Sequence, residues 1–443
     1  MQINELKDKN IVIWGTGQEG IAASTFIKQH FPDANISFVD EATPEASNPS
    51  DLLLLKNGYP VIYGDSIASA LSQADVVIKS PGVSLYHPLI QNLINHRIPV
   101  TSLLDLWFPE TIPTKTICVT GTKGKSTTSS LLVHILNKLG QKSIVVGNIG
   151  APVSEANLEG LDIIVIEVSS YQAANFESIC DIGVLTSLYP EHLDWHQSEE
   201  QYYKDKLNLL KHSRSQIIQS EACKTIKAHH IELPNALLSN TTNSFHTKNH
   251  SLYYKDEYLG EVRNTYLARQ HNLQNLCTVL TTLHALGVDA RLALEASFDF
   301  QGLPHRQHEL GERNTILYVD DSISTTPQSA IAAMEAYREK NITLIAGGYD
   351  RGLDYTPLTN YIETNNILNI ICMGPSGQRI AQLLAKTNAL TVYITNSMQE
   401  AVNIATKVTP PQGVILLSPA APSYGLFKNF MERGKYFAQE SGF

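Results

Sequence analysis

The sequence predicts an α/β fold made of several parallel sheets with helices on their faces. Short apolar runs rich in β-branched residues alternate with helical stretches along most of the chain, which is the pattern of repeated βαβ units. Glycine-rich turns follow two of these runs, at residues 15–20 and 121–126. The 443 residues exceed the roughly 250–300 that one hydrophobic core serves, so we expect two or three domains.

The N-terminal segment is predicted to be a Rossmann-like unit, with apolar strands at Ile11–Trp14, Ile36–Asp40 and Asp75–Ile78. The first strand is followed by Gly15-Thr16-Gly17-Gln18-Glu19-Gly20, which satisfies the G-x-G-x-x-G pattern, and Asp40 falls where a ribose-binding acid would lie. Because this turn serves many nucleotides, it indicates a nucleotide diphosphate without choosing one, and a purely structural glycine turn is the alternative. Ser80-Pro81-Gly82, after the third strand, would line the same crevice.

A phosphate-binding loop is predicted between the strand Thr116–Val119 and an amphipathic helix. In Gly121-Thr122-Lys123-Gly124-Lys125-Ser126-Thr127, backbone N–H groups and the positive end of the helix would face phosphates. Lys125 would neutralise the β- and γ-phosphates of ATP, and Ser126 would hold magnesium. An ordinary glycine turn before a helix is the alternative. The connector Pro109–Thr114 upstream marks the first domain boundary.

Polar residues follow the next predicted strands, Ile144–Val146, Asp162–Ile166 and Ile182–Leu185, where α/β ligand sites form. Glu167 follows the second of these, so its carboxylate is expected near the phosphate-binding loop as a magnesium ligand; a solvated acid is the alternative. His192 lies past the third strand and by itself indicates a surface or capping residue. Lys206, in a helical stretch, by itself indicates a solvated lysine.

A third α/β unit is predicted after Gly302-Leu303-Pro304-His305-Arg306. The apolar pattern restarts there, with strands expected at Ile316–Val319, Ile342–Ala346, Ile367–Met373 and Val414–Leu417. The stretch from about Ser220 to Glu261 is polar and weakly periodic, and no structure is predicted for it.

Composition excludes several classes of protein. With 43% hydrophobic and 17% charged residues and no apolar run of about 18 residues, the chain is not expected to span a membrane. The N-terminus lacks the layout of a secretory signal, so a cytoplasmic protein is expected. A net charge of −10 argues against nucleic-acid binding through overall charge. Five scattered cysteines without a CxxC pair argue against a disulfide framework or a structural zinc site.

Together these motifs resemble the Mur ligases of peptidoglycan synthesis, most closely the members that add glutamate to UDP-N-acetylmuramoyl-L-alanine. The resemblance covers nearly the whole chain. Its blocks occur in the family's order: Gly121–Thr127, Asn148-Ile149-Gly150, Glu167–Ser170, Glu191–Asp194, His271–Asn275, Gly302–Arg306 and Ser418-Pro419-Ala420.

The resemblance implies three domains: a Rossmann-like UDP-substrate-binding domain at 1–110, a central P-loop ATPase domain at 111–304 and a Rossmann-like amino-acid-binding domain at 305–443. It implies that ATP contacts Gly121, Thr122, Lys123, Gly124, Lys125, Ser126, Thr127, Asn275, Arg306 and Asp321. The UDP substrate would contact Gly15, Thr16, Gly17, Asp40, Ser80, Gly82 and Asn148. Glutamate would contact Thr325, Arg351, Ser423 and Phe430.

The resemblance also implies catalytic roles for Lys125, Glu167, His192 and Lys206. Two Mg²⁺ ions would be held by Ser126, Glu167, His192 and Lys206, the lysine as a carbamate formed with CO₂. The alanine carboxylate would attack the γ-phosphate of ATP, and the glutamate amine would then displace phosphate from the acyl phosphate. We expect a cytoplasmic monomer whose partners are these small-molecule substrates.

Departures from the family pattern concern the incoming amino acid. Lys123 replaces the usual asparagine of the loop, Ile323 stands where many D-glutamate ligases have lysine, and Gly425 replaces a frequent aspartate. Arg351 takes a place often held by lysine and can still grip a carboxylate. D-Glutamate is the family default, but some relatives add L-glutamate, which a separate epimerase then inverts. The departures resemble that variant, and both enantiomers stay open.

Three other functions remain as alternatives. Folylpolyglutamate synthase shares the ATPase core and adds glutamate, but it lacks the nucleotide-type unit predicted at residues 1–110. An ATP-gated binding protein without ligase turnover would not require Lys125, Glu167, His192 and Lys206 together. A nicotinamide oxidoreductase would leave the second phosphate-binding loop unexplained.

Overall fold

The chain forms two compact units in the computed structural model, Met1–Phe300 and Gln301–Phe443. The structure describes residues 1–41, 54–55, 57–108, 114–148, 153–229, 231–233, 236–350, 352–365, 367–385 and 390–443. The predicted connector Pro109–Thr114 lies outside the described residues except for Thr114. The boundaries proposed at residues 110 and 304 therefore stay predictions.

The first unit contains two parallel sheets. The N-terminal sheet has the strand order β3-β2-β1-β4-β5 and consists of β1 (Asn10–Trp14), β2 (Asn35–Asp40), β3 (Val61–Tyr63), β4 (Val76–Lys79) and β5 (Val100–Thr101). Its helices are Gln18–His30, Ile67–Ser72, Pro88–Asn95 and Leu103–Trp107. The direction of the strand order reverses at β1, between β2 and β4, so the turns after β1 and β4 meet at a switch point where α/β sheets bind ligands.

The central sheet has the order β11-β10-β9-β6-β8-β7, and all its pairings are parallel. Its strands are β6 (Lys115–Thr120), β7 (Ser143–Gly147), β8 (Ile163–Glu167), β9 (Cys180–Leu185), β10 (Ser213–Gln219) and β11 (Ala236–Ser239). The helices are Lys125–Lys138, Ser170–Ala173, Leu193–His196, Glu199–Lys211, Ala222–Ala228, Gln270–Ala285 and Ala290–Ala296. Because β6 lies between β8 and β9, the residues that follow these three strands share one sheet edge.

The stretch without a predicted structure is ordered in the described residues. It contributes the end strand β11 and a three-stranded antiparallel sheet of β12 (Phe245–Lys248), β13 (Ser251–Tyr254) and β14 (Glu257–Glu261). One apolar side chain from each strand of this small sheet is buried in the core that packs against the helix Lys125–Lys138: Phe245, Leu252 and Leu259.

The second unit is a six-stranded sheet in the order β15-β16-β20-β17-β18-β19, in which only the pairing of β15 with β16 is antiparallel. The strands are β15 (His308–Arg313), β16 (Ile316–Asp320), β17 (Ile342–Gly347), β18 (Ile367–Met373), β19 (Thr391–Thr395) and β20 (Val414–Leu417). The described helices are Pro327–Glu335, Thr356–Thr364, Gly374–Leu384, Met398–Val408 and Phe430–Ser441. The α/β fold and each of the apolar strands named from the sequence are confirmed.

Candidate functional site

The loop after β6 has the backbone shape of a phosphate cradle. Gly121 and Gly124 have φ angles of +147° and +87°, which favour glycine. A Cβ on Gly121 would lie 2.1 Å from Thr186 Oγ1, and one on Gly124 would lie 2.6 Å from Asn275 Oδ1. Glycine is therefore required at both positions, and Asn275 packs directly against the loop.

Two lysines converge on this loop. Lys125 Nζ donates to the carbonyl oxygens of Gly121 (2.9 Å) and Thr122 (3.2 Å), and Lys206 Nζ donates to the same Gly121 oxygen (3.1 Å). Lys206 is 2% exposed and its ammonium lies 5.1 Å from the centre of the Tyr202 ring. Burial, together with the charge of Lys125, lowers the pKa of Lys206 well below its ordinary value.

The rest of the loop is fixed by the segment that follows β9. Thr122 donates its backbone N–H to Ser187 O (2.9 Å) and its hydroxyl to Tyr189 O (2.9 Å). Lys123 forms an exposed ion pair with Glu191 at 2.8 Å. Ser126 and Thr127 lie buried in the first turn of the helix Lys125–Lys138.

Glu167 ends β8 beside the cradle and is 1% exposed. Its Oε1 accepts a hydrogen bond of 2.9 Å from Asn148 Nδ2, whereas Oε2 is buried without a hydrogen-bond partner among the described residues. A buried carboxylate oxygen left in this state is costly unless a donor or cation satisfies it.

His192 precedes the short helix Leu193–His196 and has a φ of +57°, which is uncommon for a residue with a side chain. Its ring is half-buried, and its Nε2 lies 3.8 Å from Glu191 Oε2. Burial lowers the pKa of His192 despite the opposing charge of Glu191. The neutral imidazole is the form that binds metals.

The turn after β1 is a second cradle. Gly15 has a φ of +114°, and a Cβ there would lie 2.5 Å from Ser80 Oγ. Thr16 donates its N–H (3.1 Å) and its hydroxyl (2.9 Å) to Asp40 Oδ2, so the acid predicted to hold a ribose is tied to the turn. Gly17 caps the helix Gln18–His30, and Gly82 is exposed beside them.

One cavity of about 240 Å³ is lined by residues that follow strands of both parallel sheets of the first unit. Among the residues predicted for the site, Lys125, Asn148, His192 and Lys206 line it, and Pro81 and Glu19 come from the N-terminal sheet. Ser126 and Glu167 lie next to its lining residues but do not themselves line it.

The loop after β4 is bonded to the segment that carries Lys206. Ser84 Oγ donates to Trp195 O (2.7 Å), Trp195 Nε1 donates to Pro81 O (3.0 Å) and Tyr86 OH donates to Asp205 Oδ1 (2.5 Å). Both cradles thus belong to one packed body.

Several lining residues had not been predicted from the sequence: Glu19, Ser169, Ser170, Tyr171, Gln172 and Glu191. Glu19 lies inside the glycine motif and the others follow β8 or β9, so position after a strand was the available signal.

The candidate residues of the second unit cluster at the carboxyl edge of its sheet. Asp321 Oδ2 accepts hydrogen bonds from Ser324 Oγ (2.5 Å) and Ser418 Oγ (2.7 Å), and burial raises its pKa to about 6. The positive charge of Arg306 partly offsets this rise in the pKa of Asp321. Thr325 follows in the same loop, and Ser423 is buried.

Phe430 begins the last helix, and its carbonyl accepts a hydrogen bond from Ser322 Oγ at 2.8 Å. This contact ties the start of the helix to the loop that carries Thr325. Arg351 lies outside the described residues.

Comparison with known proteins covers all three sequence segments. A Mur ligase MurD-like N-terminal domain model matches residues 9–102, a Mur ligase middle-domain model residues 119–283, and a Mur ligase glutamate ligase domain model residues 305–421. No helix among the described residues is long and apolar enough to cross a bilayer.

Curated relatives match over full length. The chain is 38% identical to the UDP-N-acetylmuramoyl-L-alanine--L-glutamate ligase of Salinispora tropica, over 99% of this chain and 98% of the relative. It is 34% identical to the protein of the same name from Xanthomonas oryzae pv. oryzae, over 100% of this chain and 97% of the relative.

Solved structures share the fold. UDP-N-acetylmuramate-alanine ligase MurC of Thermotoga maritima aligns with a TM-score of 0.56 at 18% identity, covering 97% of this chain and 98% of the other. MurF ligase of Thermotoga maritima, in complex with ADP, aligns with a TM-score of 0.53 at 14% identity, covering 99% and 95%.

Proposed function

We infer that this chain, which belongs to the Mur ligase family, is an ATP-dependent ligase that joins glutamate to UDP-N-acetylmuramoyl-L-alanine. The observation that carries the proposal is one cavity lined both by Lys125, after β6, and by Glu19 and Pro81, which follow β1 and β4. A ligase needs ATP and the acid it activates in a single enclosed space.

The proposed chemistry begins with an unreactive carboxylate. The alanine carboxylate of the UDP substrate attacks the γ-phosphate of ATP and forms an acyl phosphate, with ADP as the leaving group. The glutamate amine then adds to the acyl carbon, and phosphate leaves as the amide forms. Lys125 supplies positive charge where carboxylate and triphosphate repel each other.

The donor set fits a magnesium ion. Carboxylate oxygens are ligands that Mg²⁺ prefers, and Glu167 Oε2 is a buried oxygen without a hydrogen-bond partner among the described residues. We propose that Ser126, Glu167, His192 and carbamylated Lys206 hold two Mg²⁺ ions. The ions, when bound, would neutralise charge on the phosphates.

Lys206 is suited to react with CO₂. Its buried amine has a lowered pKa, so more of it is neutral and nucleophilic at physiological pH. The amine nitrogen bonds to the carbon of CO₂ and loses a proton, which leaves a carbamate anion. Carbamylation thus converts Lys206, which lies near the charge of Lys125, from a cation into an anion. Lys125 and a metal ion would stabilise that anion.

The curated relatives are named for L-glutamate, the enantiomer kept open in the sequence analysis beside the D-glutamate default. We propose L-glutamate as the incoming amino acid of this chain. The presence of Ile323 rather than lysine supports the assignment, and Thr325, Arg351, Ser423 and Phe430 remain the proposed contacts. We further propose that the chain acts in the cytoplasm as a monomer.

Phosphate release with ATP, Mg²⁺ and UDP-N-acetylmuramoyl-L-alanine tests the proposal, with L-glutamate and D-glutamate in parallel and product masses measured. Turnover with L-glutamate alone is expected. Turnover with D-glutamate alone would leave the ligase assignment standing and reject the enantiomer. Absence of turnover with both, while the UDP substrate still binds, would indicate an ATP-gated binding protein instead.

A further inference from the structure

The cavity wall contributed by the N-terminal sheet carries an acid whose presence requires an explanation. Glu19 lines the same cavity as Lys125 and Lys206. The proposed substrate brings a diphosphate and a carboxylate, both of which a glutamate carboxylate repels. A hydrogen-bond donor of the substrate would give the acid a favourable partner in this cavity.

Gln172 lines the same cavity as Glu19 and interacts with it. The Oε1 atom of Gln172 accepts hydrogen bonds from Ser169 N (3.0 Å) and Ser169 Oγ (3.1 Å). Its amide N–H group is left to interact with the Glu19 carboxylate, whose ionised form Gln172 favours. A carboxylate has about four lone-pair sites, so Glu19 can accept further hydrogen bonds inside the cavity.

Lys79 supplies the charge that compensates Glu19. Its side chain, at the end of β4, is 2% exposed, and Nζ lies 3.5 Å from Ser80 O and 5.3 Å from the centre of the Trp195 ring. Burial lowers the pKa of Lys79 to about 8, and the charge of Glu19 is the largest effect that opposes this. Burial likewise raises the pKa of Glu19, whereas the interactions with Gln172 and Lys79 lower it.

A buried ammonium with so few hydrogen bonds is costly to fold, since it gives up the water that would solvate it. Its favourable partners are carboxylates, Glu19 first and Asp205 second. Asp205 already accepts hydrogen bonds from Tyr86, His196 and Gln201. The ammonium therefore matters most for Glu19, the acid that lines the cavity.

We propose that Glu19 accepts a hydrogen bond from an amide N–H or hydroxyl group of the acyl amino sugar of the UDP substrate. Lys79 is a positioning residue that keeps Glu19 ionised. Such donors lie between the diphosphate and the terminal carboxylate of UDP-N-acetylmuramoyl-L-alanine, which is the part that must cross the cavity. This inference rests on the proposed function and adds to it the recognition of the substrate's neutral middle portion.

The first test compares Glu19→Gln with Glu159→Gln, a change at an exposed glutamate of the same unit. Glu19→Gln is expected to raise KM for the UDP substrate about tenfold, the loss of one hydrogen bond to a charged group, with kcat and the KM for ATP within about twofold. Equilibrium binding of UDP-N-acetylmuramoyl-L-alanine should weaken about tenfold and binding of UDP alone less than twofold.

The two proposals fail in different ways. An inactive wild-type protein would remove the proposed function. An active wild type whose Glu19→Gln variant keeps its KM for the UDP substrate would overturn the role of Glu19 alone. Equal weakening for UDP and the full substrate would also overturn it, because the contact would then not be to the acyl sugar.

A double-mutant cycle tests Lys79. Lys79→Met is expected to raise KM for the UDP substrate about fivefold in the wild type and less than twofold in a Glu19→Gln background, because the effect acts through Glu19. Lys79→Arg keeps the charge and should stay within about threefold of wild type. Additive effects in the cycle, or an Arg variant as impaired as Met, would reject the positioning role.

Discussion

The molecule contains two glycine-rich turns with similar backbone shapes but oppositely charged surroundings. We call the turn after β1, residues 15–20, the acidic cradle and the loop after β6, residues 121–126, the cationic cradle. Each turn follows a central strand and precedes a helix, and each has a glycine that a side chain could not replace, Gly15 in one and Gly121 in the other. Around Gly121 lie Lys123, Lys125 and Lys206, whereas the first turn is bonded to Asp40 and flanked by Glu19. The two turns therefore share a backbone shape and differ in the charge of the side chains around them.

The largest expected effect lies in the cationic cradle. Lys125→Ala should lower phosphate release by about a thousandfold or more, because the positive charge that the lysine holds beside the transferring phosphate is lost. Circular dichroism should show a folded protein, and Lys115→Ala, at an exposed position, should remain active. Full activity of Lys125→Ala would show that the positive charge of the cationic cradle is not required, and the proposed functional difference between the two cradles would be wrong.

Lys206→Ala should lower turnover about a hundredfold and regain part of it when short carboxylic acids are added, since these can replace the carbamate. Lys204→Ala, on the same helix and half-exposed, is the matched control and should need no additive. Wild-type turnover of Lys206→Ala without an additive would remove the carbamate from the mechanism.

A third prediction concerns the buried charge near the acidic cradle. A lowered lysine pKa means that the folded state binds fewer protons than the unfolded state between about pH 8 and 10.5, so stability rises with pH across this window. The cost of burying Lys79, about 3 kcal/mol, is fully present below pH 8. Lys79→Met should therefore gain in Tm over the wild type at pH 7.

That gain should shrink as the pH approaches 10. Lys7→Met, at an exposed lysine, should show no such trend. A Tm difference for Lys79→Met that is independent of pH would show that the ammonium is not disfavoured in the fold.

Asp40→Asn should affect the acidic cradle alone. It weakens the hydrogen bonds from Thr16 and removes the charge expected to meet a ribose, so KM for the UDP substrate should rise about tenfold. The KM for ATP should be unchanged, and exposed Asp33→Asn should behave as wild type. A larger change in the KM for ATP than for the UDP substrate would reverse the assignment of the two turns.

The smallest effect is expected at Lys123. Its side chain is 73% exposed and pairs with Glu191, and exposed ion pairs contribute about 0–1 kcal/mol. Lys123→Asn, which restores the residue usual in the family, should change the KM for ATP by less than about threefold. A tenfold change would show that the exposed lysine is part of the cradle's charge.

Much of the fold could be predicted because buried parallel strands are nearly continuous apolar runs, such as residues 163–166 of β8. The small antiparallel sheet could not be predicted. Its strands are four or five residues long and bury one apolar side chain each, Phe245, Leu252 and Leu259, in the core that packs against the helix Lys125–Lys138. A strand with one such residue has no detectable period.

The site was predictable where a motif or a strand end marked it. Lys125 belongs to the glycine motif that follows β6, and Glu167 is the last residue of β8. Lys206 required the family resemblance, although its helix contains a signal: it falls in the buried stripe formed by Tyr202, Tyr203, Leu207 and Leu210, where an apolar residue is expected. Lys79 likewise continues the apolar run of β4. A lysine at a position where the pattern predicts a buried apolar residue is therefore a candidate functional residue, even outside a motif.

The bonds from the loop after β4 to Trp195 and Asp205 bear on how the chain can be divided in the laboratory. Three family models span the sequence, yet the first two lie within one compact unit. A fragment cut near residue 110 would leave Ser84 and Tyr86 facing water and would remove the ring above Lys79. The boundaries between family models are therefore poor places to divide this enzyme, whereas residues 1–300 form a compact unit that contains both cradles.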